Sequence, residues 1–261
     1  MGSIHVCPIF NHNREVPVKK KCQLKWLTSA LILLSATVFT TVASADTRTG
    51  KRNIAPPVAA GVAVDADNPV AMATLSLQLA KYGDKAKDPL AMVLAASLQK
   101  QSGAQSKEFK KTEEGKATGD AKPAIDDNVA GLLDRAKQYG NERSDIIALA
   151  DDVANTAAKG RTDSSGAADN TYRGAASVRG NSTDIISVTF RAREIAAVSI
   201  VGDGDSDLDL YVYDKSGNEV CASVSFGDEQ KCTWIPRWTE EYGVHIKNRG
   251  SISNRYGIII H

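Results

Sequence analysis

Histidine, cysteine and aromatic side chains are scarce in this 261-residue chain, and each scarcity removes a class of function. Of four histidines only His245 and His261 lie beyond residue 45, and neither sits in a sequence motif of a catalytic base or a metal ligand. Little is left for His-based nucleophilic catalysis or zinc hydrolysis. The chain also lacks a G-x-S-x-G elbow, an H-E-x-x-H helix, a phosphate-binding glycine loop and a dinucleotide-binding glycine fingerprint. An excess of positive charge is missing too: 32 basic side chains meet 31 acidic ones. Nucleic-acid binding needs a clustered basic face, and none is written here.

Long apolar runs are absent but for one. Lys19, Lys20, Lys21 and Lys25 precede "WLTSALILLSATVFTTVASA", which closes on Ala43-Ser44-Ala45. A cationic block, an apolar run and a small-residue exit, in that order, predict a secretory signal over residues 1–45, cleaved after Ala45. The rival is an uncleaved anchor, because the uncharged stretch of 20 residues is long enough to span a bilayer. Both place the remainder outside the cytoplasm, periplasmic or secreted, with no stable membrane span once the signal is cleaved. That remainder holds 27 basic and 30 acidic groups, a net charge of −3. Its two cysteines, Cys221 and Cys232, fall in one β region, and an oxidising compartment favours one disulfide over two free thiols.

Residues 46–66 are small, Pro-containing and without period, and read as a flexible leader. "NPVAMATLSLQLAKYG" and "DPLAMVLAASLQKQ" then carry apolar residues at helical spacing, each opening on a capping side chain followed by proline. Residues 102–122 are charged, Gly/Ser-rich and nearly free of apolar side chains, so they read as a disordered loop. Two further helical segments lie within 123–159. A repeat with an offset of 57 aligns "YGDKAKDPLAM" from Tyr82 with "YGNERSDIIAL" from Tyr139, and predicts two helix–turn–helix units in a helical region over 67–159. Residues 160–177 read as a linker. Seven short strand patterns at about 8–12-residue spacing follow, which predicts an antiparallel sandwich over 178–261. The fold class expected is α+β in separate domains.

One stretch invites a metal reading. "GDGDSDLDLYVYD" (202–214) starts like an EF-hand loop, but Leu208 stands where that loop needs glycine and Asp214 where it needs glutamate. The alternation of Leu208, Leu210 and Val212 with Asp209, Tyr211 and Tyr213 describes a half-buried strand. Together with "VTFRA", "CTWIPRWTEEYGVHIKNRG" and "NRYGIII", this stretch resembles the bacterial pre-peptidase C-terminal domain, a module related to collagenase collagen-binding domains. The resemblance covers the last third of the chain. It implies a jelly-roll-like sandwich and, in some relatives, calcium held by acidic groups. Carried over by position, the candidate ligands are Asp203, Asp205, Asp207 and Asp209. The alternative is that Asp203 and Asp205 satisfy turn N–H groups while Asp207 and Asp209 are solvated edge charges. Trp234 and Trp238 are candidates for aromatic contact with a ligand, against a packing role for both.

The module is present without the protease that accompanies it in relatives. The expected function is therefore a non-enzymatic, exported binding protein whose sandwich contacts a protein, an extracellular polymer or a cell surface, with or without calcium. An accessory factor in secretion or folding of an exported protease is the alternative, as is a hydrolase using the aspartates.

Overall fold

The computed structural model describes residues 50–56, 68–123, 125, 127–157 and 167–261. The expected signal sequence, residues 57–66 of the leader and most of the first half of the 160–177 linker lie outside these residues. Four helices come first: α1 (Pro69–Ala86), α2 (Pro89–Ser102), α3 (Val129–Tyr139) and α4 (Ser144–Asn155). The strands are β1 (Gln105–Ser106), β2 (Lys111–Thr118), β3 (Tyr172–Val178), β4 (Gly180–Phe190), β5 (Ala196–Gly202), β6 (Leu208–Tyr213), β7 (Glu219–Ser223), β8 (Glu229–Trp234), β9 (Glu240–Asn248) and β10 (Asn254–Ile260).

The helix starts follow from their caps. Asn68 Oδ1 accepts the Val70 and Ala71 N–H groups, and Asp88 Oδ1 accepts those of Leu90 and Ala91. Proline at the next position loses no intrahelical bond. In the second repeat unit the cap differs: α4 starts after Arg143, and Asp145 sits in the first turn, paired to Arg143. The repeated glycines admit close packing. A Cβ on Gly83 would strike Met92, and one on Gly140 would strike Ile146. Ala80, Met92, Ala95, Ala96, Leu132, Leu133 and Ala136 form the helical core.

Two five-stranded sheets face each other, ordered β1-β3-β10-β5-β8 and β2-β4-β9-β6-β7. All pairings are antiparallel except β1 with β3. Phe190, Trp234, Tyr242, Ile186, Ile200, Leu210, Ile246 and Ile258 fill the space between them. The α+β class holds, but separate domains do not. On the outer side of the first sheet, Val70, Ala73 and Leu77 of α1 pack on Ala197, Val201 and Ile259. Gly257 leaves room for the Leu77 side chain. A sheet covered on both faces reads as unbroken apolar runs, which is why "AAVSIVG" of β5 is buried along its whole length.

Three of the expected boundaries need correction. Residues 102–122 are not a disordered loop. Strand β1 pairs with β3 and strand β2 with β4, across a register shift after Gly115. Their charged composition misled because β2 is an edge strand, seven of its eight residues exposed, and charge there blocks further pairing. The 160–177 linker overlaps β3, so the continuous run of strands begins at Tyr172 rather than 178, with β1 and β2 joining the sheets from further upstream. Within the 46–66 leader, Asn53 is fully buried. Its Nδ2 donates to the Trp238 carbonyl and Glu240, and its Oδ1 accepts from the Arg237 and Trp238 N–H groups. Its own N–H donates to Asp214, and its carbonyl accepts from the Tyr242 hydroxyl. A small polar residue supplies no apolar signal, so this strap was illegible.

Candidate functional site

The aspartate stretch joins β5 to β6, and its four carboxylates do not converge on one point. Asp203 Oδ2 accepts from Lys122 Nζ at 2.8 Å and from Arg255 Nε at 3.1 Å. Asp205 is ion-paired to the same Lys122. Asp207 accepts the Gly227 N–H at 2.7 Å. Asp209, on β6, is buried and paired to Arg249, with the Tyr211 hydroxyl donating to it at 3.1 Å. It is therefore not the solvated edge charge of the sequence reading; the strand's polar side is roofed there by Arg249. Burial would push the Asp203 pKa up, but the hydrogen bonds from Lys122 and Arg255 outweigh it and hold the carboxyl below the usual range.

Calcium takes six to eight oxygens. Among the described residues no group of three or more His, Cys, Asp or Glu side chains converges as a metal centre. The residues present do not fit the ion. Asp203 and Asp205 instead line one end of a cleft of about 610 Å³ between the helices and the first sheet, whose walls include Lys81, Asp84, Arg135 and Tyr139. Asp84 there accepts from the Tyr139 hydroxyl and pairs with Arg135.

Cys221 and Cys232 form the expected disulfide, with 5.8 Å between their Cα atoms. It ties β7, an edge of one sheet, to β8, an edge of the other. Trp234 is 3% exposed and contacts Phe190 and Tyr242 at ring-centroid distances of 4.8 and 5.6 Å. A ring closed off in this way cannot meet a ligand, so its candidacy as a contact residue is corrected to packing. Trp238 is partly exposed, its Nε1 donating to Glu240 at 2.9 Å.

The aromatic surface that does reach solvent lies elsewhere, on the outer face of the second sheet. Register sets Tyr211 opposite His245, and His245 opposite Ile185. One step along, Tyr213 stands opposite Gly243, which has no side chain. The Tyr211 and Tyr213 rings stack at 6.3 Å, and Tyr213 meets His245 edge-on at 4.8 Å. Thr112, Ser187, Thr189 and Glu241 surround them, all exposed. In sequence these aromatics show only as the polar-side members of an alternating strand. Nothing there says that the helices pack on the other sheet and leave this face open.

His245 makes this face pH-sensitive. Burial lowers its pKa, and the nearby Glu114 charge offsets this only in part. The unfolded chain therefore takes up the proton more readily than the folded one. The stability contribution is full above the ordinary histidine value and is lost as pH falls through it toward the lower folded value. We expect Tm to fall about 1–3 °C further between pH 7 and pH 5 in the wild type than in His245→Gln. Parallel curves from a thermal-shift titration would refute this.

A scan against protein-family models finds no match to this chain, and a search of curated proteins finds none either. Among solved structures it is similar to the pre-peptidase C-terminal domain of a collagenase from Bacillus anthracis, at 10% identity and a TM-score of 0.24, covering 36% of this chain and 78% of that one. It is also similar to a periplasmic inhibitor of g-type lysozyme from Aeromonas hydrophila, at 12% identity and a TM-score of 0.26, covering 35% and 86%. A mitogen derived from Yersinia pseudotuberculosis matches at 12% identity and a TM-score of 0.20, covering 30% and 83%.

Proposed function

We propose that this is an exported, non-enzymatic binding protein whose sandwich holds a protein or polymer partner against the outer face of its second sheet. The observation that carries the reading is the Tyr211–Tyr213–His245 row, partly exposed on the outer face of the sheet while the Phe190–Trp234–Tyr242 cluster is interior. Tyrosine suits such a face, because a flat apolar ring with a polar tip contributes contact area at little conformational cost. Gly243 has no side chain, and the His245 ring lies over it against Tyr213, which flattens the face. Phe226, 98% exposed on the turn between β7 and β8, offers a further apolar contact.

Two features support export: the signal-like N-terminus and the Cys221–Cys232 bond. The non-enzymatic part is supported by the aspartates. Asp203 is paired to Lys122 and Arg255 and held ionised, so it offers no proton for general acid catalysis. The test is co-sedimentation of the protein with insoluble peptidoglycan, chitin, cellulose and gelatin, alongside pull-downs from the envelope fraction and culture supernatant. Tyr211→Ala/Tyr213→Ala is expected to cut the retained fraction at least tenfold while circular dichroism stays unchanged. Equal retention of variant and wild type would remove this face from the reading.

A further inference from the structure

The mismatch between the aspartate turn and calcium has a positive content. We propose that the Lys122 ammonium is a built-in replacement for a metal ion: it supplies the cation that Asp203 and Asp205 share, so the protein needs no calcium there.

Three features of the turn point to this role. First, the ammonium sits between the two carboxylates that lead the acidic stretch, bonded to Asp203 at 2.8 Å and to Asp205 as well. Two carboxylates two residues apart repel each other, and a cation shared between them removes that cost. A divalent ion would do so with several oxygens, and an ammonium does so with directed N–H donors.

Second, Lys122 is delivered by an anchored segment. The Lys122 N–H donates to Ser177 Oγ at 3.1 Å, and Ser253 Oγ donates to the Asp120 carbonyl. The main chain at 120–122 is thus tied to β3 and to the turn before β10, which fixes where the ammonium falls. This is unlike a surface lysine that finds a carboxylate by chance, whose pairing contributes little.

Third, the other two carboxylates are already committed. Asp207 caps the Gly227 N–H and Asp209 faces Arg249. The turn is also closed by main-chain bonds: the Asp203 N–H reaches the Arg255 carbonyl, and the Leu208 N–H reaches that of Gly227. With Arg255 as the second cation on Asp203, the two carboxylates that lead the stretch are matched by two cations. A consequence is that the lysine does more than an ion would. It comes from the segment leading into α3, so it also ties that segment to the sandwich at the end of the cleft.

Thermal unfolding of the whole protein tests the proposal. Wild-type Tm is expected to agree within 1 °C in 5 mM calcium and in chelator at matched ionic strength. Lys122→Met is expected to lower Tm by about 2–5 °C in chelator, and 5 mM calcium is expected to restore at least half of that loss. A control, Lys122→Met/Asp205→Asn, lacks one of the two carboxylates and is expected to regain nothing with calcium. A calcium-dependent rise of several degrees in the wild type would overturn the proposal whether or not the variants fold. So would a Lys122→Met protein that loses stability and does not respond to calcium.

Discussion

Replacing Asn53 with alanine is expected to destabilise the protein by about 2–3 kcal/mol, although the residue lies 184 positions before Arg237, one of the groups it holds. The side chain closes four hydrogen bonds: to the Trp238 carbonyl, to Glu240, and from the N–H groups of Arg237 and Trp238. Alanine removes all four and leaves a carboxylate and main-chain groups short of partners. Each buried group left unmet costs about 1–3 kcal/mol, less where water can reach it. The two main-chain bonds of residue 53, to Asp214 and from Tyr242, survive in the variant. Asn53→Asp is expected to be as harmful, because a carboxylate cannot donate to Glu240. Urea unfolding followed by tryptophan fluorescence measures the effect. A change below 0.5 kcal/mol would show that the strap is an ornament of the fold.

Trp234→Ala is expected to cost more, about 3–5 kcal/mol, the usual range for emptying a buried aromatic position. The ring packs edge-on to Phe190 and tilted against Tyr242, with every one of the three nearly or fully buried. The Cys232 end of the disulfide lies in the same cluster, so a cavity there loosens the join between the sheets. Trp238→Ala is expected to cost under about 1.5 kcal/mol, since its surface is partly solvated and its principal bond is to Glu240. Equal losses for the two tryptophans in guanidinium unfolding would contradict this ordering. The contrast matters because the two residues look alike in sequence, four apart and flanking Pro236-Arg237.

Much of the fold was legible because its elements carry local signals. The caps at Asn68 and Asp88, the alternation of β6 and β9, and the Cys221–Cys232 pairing all appear where residue chemistry places them. The edge strand β2 was not, since "KTEEGKAT" has no apolar period and only its threonines favour a strand. Its main chain is held by partners on β4, and that is information about another segment. The candidate site was legible only in part. The aspartates stood out by composition, but Lys122 lies some eighty residues away in a stretch that reads as disorder. Tyr211 and Tyr213 were visible as one side of a strand, and whether that side meets water or a helix is not a property of the strand.

By itself, then, the sequence determined the kind of element at most positions, the division into a helical part and a β part, and the absence of familiar catalytic motifs. Periodicity and capping act within a few residues, so they are written locally. Only the tertiary structure decided which sheet the helices cover, which tryptophan is interior, that Asn53 reaches back into the sandwich, and that Lys122 pairs with Asp203 and Asp205. Those are contacts between distant segments, set by which apolar faces can be buried together, and no window of sequence contains both halves of any of them.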